Sequence, residues 1–269
     1  MGRIAGVFTN RSSPALIGFT VAGDPDLTTS MRIARTLIHA GTDILELGVP
    51  FSDPVADGPT IQRAGDRALA AGTTPDTVFA IVRDVRAHSD VPIVLLTYYN
   101  TVFRRGIERF YRDARAAGVD GILIADMPVE ESGEVLEAAE KNAIDQILLV
   151  AQTTSDERLR TIAENAGGFL YLVSVLGVTG ARAGVPQAAF NLVRRVKAVT
   201  DLPVALGFGI STPDQVASCA AHGADGVIVG SAIVDLVEQN LKDHEMMLHR
   251  LEAYIASLRA ALQEPSGKR

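Results

Sequence analysis

The sequence predicts an eight-stranded parallel barrel of the (β/α)8, or TIM, class. Three observations carry that expectation. Eight short apolar runs alternate with longer helical stretches along the 269 residues. Most of those runs are apolar on both faces, as strands covered by helices in a parallel sheet must be. The pattern also repeats weakly. "AGTDILEL" (40–47), "AGVDGILIAD" (117–126) and "HGADGVIVG" (222–230) each join a helix end, a Gly and an Asp that leads into a strand. "DVPIVLL" (90–96) is echoed by "DLPVALG" (201–207) at an offset of 111 residues, and the second and third Gly-Asp units are 105 apart. Both offsets span about four strand–helix units, as two half-barrels would, in a fold whose usual size is about 250 residues. A doubly wound sheet competes with this reading, but it does not require eight evenly spaced units.

The strands are expected, in order, at 15–22, 43–49, 92–98, 121–126, 146–150, 169–174, 203–209 and 226–230. Helices fill the intervals. Over 27–40, Leu27, Met31, Ala34 and Ile38 recur at three- and four-residue steps and share a face. The last helix, near 244–262, aligns Met247, Leu251, Tyr254, Leu258 and Leu262 in the same way. The whole of 1–269 is read as one barrel domain, with 1–14 a leading segment and 263–269 a frayed tail.

Bulk properties narrow the function. The net charge is −7, with no basic cluster, which argues against nucleic acid as a partner. No apolar run approaches the length of a membrane span, and the start lacks the apolar core of a signal peptide. The single cysteine, Cys219, rules out a disulfide within the chain and reads as a small buried residue on a helix. A soluble, cytoplasmic protein is expected.

Barrels of this class keep their chemistry at the carboxyl ends of the strands. In "DILELGV" the period of two puts Ile44, Glu46 and Gly48 on one face and Leu45 and Leu47 on the other. Glu46 then points into the barrel near its upper rim. Desolvation there raises a carboxyl pKa and suits it to proton transfer. The alternative is a glutamate paired with an interior Arg or Lys, yet no expected strand supplies one. Asp53 and Asp57 follow in a loop stiffened by Pro50, Pro54 and Pro59. They either face Glu46 or merely cap turns and the next helix. Glycine-rich turns follow the last three strands: "GVTG" (177–180), "GFGIS" (207–211) and "GSA" (230–232). Loops after strands seven and eight commonly bind phosphate in barrels, although plain turns would look the same.

Absences sharpen the reading. The four lysines (Lys141, Lys197, Lys242, Lys268) avoid strand ends, which argues against a Schiff-base aldolase. The five histidines form no metal-ligand cluster with a carboxylate, so no metal is expected. No strand-end Ser–His pair suggests acyl transfer. Carboxylate acid–base chemistry on a phosphorylated substrate remains. If a carbon–carbon bond breaks, the substrate must supply its own electron sink.

"LELGVPFSDPVADGPTIQ" (45–62) closely resembles the signature of the tryptophan synthase alpha subunit family. So do "FTVAGDP" (19–25), "LLTYYN" (95–100), "ADMPVEES" (125–132), "GVTGAR" (177–182) and "GFGIST" (207–212). The likeness runs from about Ala15 to the final helix. It implies a barrel without cofactor that cleaves indole-3-glycerol phosphate to indole and glyceraldehyde 3-phosphate in tryptophan biosynthesis. By the resemblance, Glu46 is the principal acid/base, Asp57 steadies the charge on the indole nitrogen, and Tyr171 lies near the reacting centre. Gly180, Gly209, Gly230 and Ser231 match phosphate-binding positions. Phe19, Leu96, Tyr98, Ala125 and Phe208 match the indole pocket. The resemblance also implies a partner, a pyridoxal-phosphate beta subunit in an alpha2-beta2 heterotetramer, with Pro50 and Asp53 at the contact. A stand-alone indole-releasing lyase and a non-catalytic regulatory subunit are the alternatives. The chain departs from the family in its short leading segment, in Gln152 where proline is common, and in Val175 and Leu176 where many members carry a polar residue.

Overall fold

Alternation of apolar strands and amphipathic helices produces the following order in the computed structural model, which describes residues 2–9, 11–173, 184–207 and 209–263. A short helix α1 (Arg3–Phe8) leads into β1 (Ala15–Val21), α2 (Leu27–His39), β2 (Ile44–Gly48), α3 (Pro59–Ala70) and α4 (Pro75–Arg86). Then come β3 (Ile93–Thr97), α5 (Tyr99–Arg105), α6 (Ile107–Ala117), β4 (Gly121–Ile124), α7 (Gly133–Lys141), β5 (Asp145–Ala151) and α8 (Asp156–Asn165). The chain ends with β6 (Leu170–Val173), α9 (Gln187–Lys197), β7 (Val204–Gly207), α10 (Pro213–Ala221), β8 (Gly226–Val229), α11 (Ser231–Gln239) and α12 (His244–Gln263). Every strand pairs in parallel with the next, and β1 pairs with β8, closing the barrel. All eight expected strands form; β5 is one residue longer at each end, and the others are a residue or two shorter at one or both ends.

The period of two sorts the core into two layers. Ile17, Ile44, Val94, Leu123, Ile147, Ala205 and Ile228 fill the barrel interior, and α1 closes its floor with Ile4 and Phe8. The Phe8 and Phe169 ring centroids lie 5.9 Å apart. Leu45, Leu47, Ile93 and Leu95 face outward into the helix layer.

Two helix faces differ from the sequence reading. The buried face of α2 is Ser30, Ile33, Ala34 and Leu37, while Leu27 is 40% exposed. Leu27 is the first helical residue, ahead of the packed stretch that begins at Thr29. Along α12 the buried row runs Met247, Leu251, Ile255, Leu258, Leu262. Tyr254 lies at its edge, where the hydroxyl donates to the Ser211 carbonyl at 2.8 Å. Gln263, expected in the frayed tail, still belongs to α12.

The Gly-Asp repeat has a structural basis at the floor. Asp43 accepts from the Leu16 N–H at 2.8 Å and returns its own N–H to the Leu16 carbonyl at 2.8 Å. Asp120 makes the same pair of bonds with Ile93, and Asp225 with Val204. Each aspartate thereby locks the first rung between two strands. Each also meets cations: Arg11 and Arg259 for Asp43, Arg3 and Arg86 for Asp120, Lys197 for Asp225.

Three α-helices among the described residues are added to the strand–helix alternation: α3 after β2, α5 after β3, and α11 between β8 and α12. α3 and α11 pack on one another and over β1. No helix among the described residues is long and apolar enough to cross a membrane.

Candidate active site

Alternation along β2 sends Glu46 inward between Phe19 of β1 and Val94 of β3. The residue is 0% exposed, and neither carboxyl oxygen has a hydrogen-bond partner among the described residues. Among the described residues no cation pairs with Glu46, as a purely structural glutamate would require. Burial, reinforced by the nearby Asp57 charge, pushes its pKa from 4.5 up to about 8.

Asp57 approaches from the loop above. Its N–H donates to the Pro54 carbonyl at 3.2 Å, and Gln62 donates to the Asp57 carbonyl at 2.9 Å. The Tyr98 hydroxyl accepts from the Ala56 N–H at 3.2 Å and lies close enough to the Asp57 carboxylate to favour its charged form. Phe51 stacks on the Tyr98 ring at 5.2 Å, which pins the loop to the end of β3. Burial raises the Asp57 pKa to about 6, against the opposing pull of that hydroxyl. The N-cap of α3 is Gly58, so Asp57 is not a helix cap. Asp53 is exposed and accepts from Ser52 at 2.5 Å, a local turn contact.

Tyr171 points inward from β6, and its phenol is held well above the usual range by burial and by the charges of Glu46 and Asp57. A Cβ on Gly207 would lie 2.5 Å from the Tyr171 ring, so the glycine on β7 makes room for it. Phe19 is housed in the same manner. A Cβ on Gly48 would meet the ring at 2.8 Å, and one on Gly230 at 3.1 Å. Phe19, Gly48, Phe51, Asp57, Ile61 and Leu96 line a small cleft. Tyr98 is buried behind it, and Ala125 packs partly buried beside Leu96 on the interior cluster.

The expected anion site divides between two loops. Gly209 adopts φ +67°, a conformation that favours glycine. Gly230 is the N-cap of α11 and Ser231 its first residue. The N–H groups of Ser231 and Ala232 have no intrahelical acceptor, as in any helix first turn. Gly180, Phe208, Val175 and Leu176 lie outside the described residues. Among the described residues no cluster of His, Cys, Asp or Glu could hold a metal.

Comparisons with known proteins bear on this arrangement. The family model described as "Tryptophan synthase alpha chain" matches residues 7–263. The tryptophan synthase alpha chain of Methanoregula boonei is 65% identical over 98% of this chain and 100% of its own length. The chain belongs to the tryptophan synthase alpha chain family. The Methanothermobacter thermautotrophicus member is 52% identical over 96% of this chain and 95% of its own. A tryptophan synthase structure from Mycobacterium tuberculosis superposes with a TM-score of 0.90 at 40% identity, covering 98% of this chain and 99% of that one. The Pyrococcus furiosus tryptophan synthase a2b2 complex gives 0.87 at 42% identity, covering 92% and 98%.

For this alpha chain family member, the structure brings Glu46, Asp57 and Tyr171 together, sets Pro50 in the lining of the cleft and leaves Asp53 exposed on the loop. Sequence reasoning missed the grip of Tyr98 on the Asp57 loop, naming Tyr98 as a pocket residue alone. It also missed Gly48 and Gly207 as space-making residues. Their signal was a glycine at a strand end two rungs from, or beside, an inward aromatic.

Proposed function

We propose that this chain is the alpha subunit of tryptophan synthase, a lyase that cleaves indole-3-glycerol phosphate without a cofactor of its own. The observation that carries the reading is a buried, unpartnered Glu46 beside an Asp57 of lower pKa. Two carboxyl groups with separated pKa values can hold different protonation states at one pH, one ready to transfer a proton and one already charged. Near neutral pH Glu46 holds its proton and Asp57 is ionised.

Glu46 gives that proton to C3 of the indole ring, leaving an iminium at the ring nitrogen. Asp57 accepts a hydrogen bond from the nitrogen and balances the positive charge. The ionised Glu46 then takes the proton of the substrate hydroxyl. The C3–carbon bond breaks, its electrons restore the indole, and the former carbinol becomes the aldehyde of glyceraldehyde 3-phosphate. Glu46 ends protonated, as it began. Tyr171 remains a neutral donor beside the reacting centre. Phe19, Leu96, Tyr98, Ala125 and Phe208 surround the ring. Backbone N–H groups near Gly180, Gly209, Gly230 and Ser231 take the phosphate.

Indole passes, on this reading, to a beta subunit that carries pyridoxal phosphate in an alpha2-beta2 assembly within the cytoplasm. The outer loop offers Pro50 and Asp53 to that partner, and the neighbouring Val55 is 83% exposed. The test is indole release from indole-3-glycerol phosphate, with and without a saturating beta subunit. Activity should rise as Asp57 ionises near pH 6 and fall as Glu46 ionises near pH 8. Glu46→Gln should lose about 10²–10⁴-fold, the usual weight of a general acid–base group. Asp53→Ala should keep the basal rate and lose part of the activation by the partner. A folded Glu46→Gln protein with near-normal turnover would remove Glu46 from the mechanism.

A further inference from the structure

We infer that Arg67 is a positioning residue that sets the span between Asp57 and the anion site at the start of α11, an inference that rests on the functional reading above. The two ends of the substrate are held by different inserted helices. α3 begins two residues after Asp57, and α11 begins at Ser231. Neither helix is bonded to the other through the sheet, so the distance between them must be fixed by side chains.

Ala64, Ala68 and Val234 pack the two helices together over Phe19 and Val21, and charge adds direction to that apolar contact. Arg67, on the last turn of α3, donates from Nε and Nη2 to the two carboxyl oxygens of Asp24 at 2.8 and 2.9 Å. Its Nη1 donates to Glu238 of α11 at 2.9 Å. Arg63, one turn earlier, clasps Glu238 at 2.8 and 2.6 Å. Asp24 lies in the loop after β1 and is 2% exposed. That loop is itself fixed. The Gly23 N–H donates to the Ser30 hydroxyl at 2.9 Å, and a Cβ on Gly23 would collide with the Thr73 side chain.

A lone exposed ion pair would not hold a helix in place. A planar guanidinium shared between a buried carboxylate and a second helix is different, because the fork fixes direction as well as distance. Sliding α3 along α11 breaks one set of bonds or the other. The substrate is rigid at its ring and anchored at its phosphate. A misplacement of about 1 Å between those anchors costs on the order of 100-fold in rate.

Two variants test the clamp without leaving Asp24 bare of cations. Arg67→Lys replaces the fork with a single ammonium, and Glu238→Gln removes the bridging charge on α11. The measurements are kcat and KM for indole-3-glycerol phosphate, inhibition by indole and by glycerol 3-phosphate separately, and amide hydrogen exchange over residues 57–63. Arg67→Lys should lower kcat by about 10-fold, and Glu238→Gln by less, as expected for a partial shift in geometry. Each fragment should bind as before, because each occupies one end of the site. Exchange at 57–63 should quicken while the strands stay protected. Normal kcat with unchanged exchange in both variants overturns the clamp, and so does an equal loss of affinity for both fragments, which signals general loosening. Failure of the functional reading would appear instead in the wild type, as absence of indole release, and the exchange measurement would still decide the clamp.

Discussion

The carboxylates at the two ends of the barrel share a fold and differ in company. At the floor, the Asp120 side chain is 5% exposed and meets two arginines and a backbone N–H. At the mouth, Glu46 is 0% exposed and meets no donor among the described residues. Burial is therefore a poor guide to role. What separates the ends is pairing: a paired carboxylate spends its charge on holding strands in register, and an unpaired one keeps a proton it can transfer. An isolated buried charge is too costly to persist, so the lone carboxyl group is stored in its neutral form.

Stability against pH gives the sharpest contrast. Glu46 binds its proton more tightly in the folded chain than in the unfolded one, where its ordinary value of 4.5 applies. Between pH 4.5 and about 8 the unfolded chain has released a proton that the folded chain retains. Folding stability from this group thus falls as pH rises, by up to about 1.4 kcal/mol per pH unit, and levels off above the folded value. Asp57 adds the same trend between pH 3.8 and about 6. Denaturant unfolding at about pH 6.5 and about pH 8.5 isolates Glu46. Glu46→Gln should gain on the wild type at the higher pH by far more than at the lower. An equal difference at both would mean that Glu46 is not protonated in the folded chain.

The floor should respond in the opposite sense. Asp120→Ala leaves Arg86 half-buried and the Ile93 N–H without its acceptor. A loss of about 3 kcal/mol is expected, as when one partner of a buried pair is removed. Indole release per folded molecule should be unchanged, and a fall in kcat would show that the two ends are not separable. Asp225→Asn is the mildest break. Its partner Lys197 is 39% exposed, and the amide oxygen can still accept from the Val204 N–H. About 1 kcal/mol is expected from chemical denaturation.

Much of this was legible in the chain. Eight apolar runs with two buried faces could belong to few architectures, and the period of two along β2 assigned Glu46 to the interior without further information. The Gly-Asp repeat was visible, but its meaning was not. A hydrogen bond from Asp43 to Leu16 joins residues whose relation exists only once β1 and β2 lie side by side. The helix clamp left no trace at all. Arg67 and Glu238 are 171 residues apart, and neither interrupts an expected pattern, since charged residues on a helix read as solvated faces. Leu27 was misassigned because periodicity describes a whole helix, whereas burial depends on where the neighbouring wall begins.

One floor element bears on how the protein is made. Ile4 and Phe8 of α1 rest against the interior cluster that includes Ile147, Phe169 and Ala205. These partners leave the ribosome long after the helix that needs them. Roughly 160 residues separate Phe8 from Phe169, an interval of about 10–30 s at ordinary elongation rates. Throughout it Ile4 and Phe8 have no closed barrel to plug. The nascent chain therefore carries an uncovered α1 until β6 has emerged, which is when a holding chaperone would have something to hold.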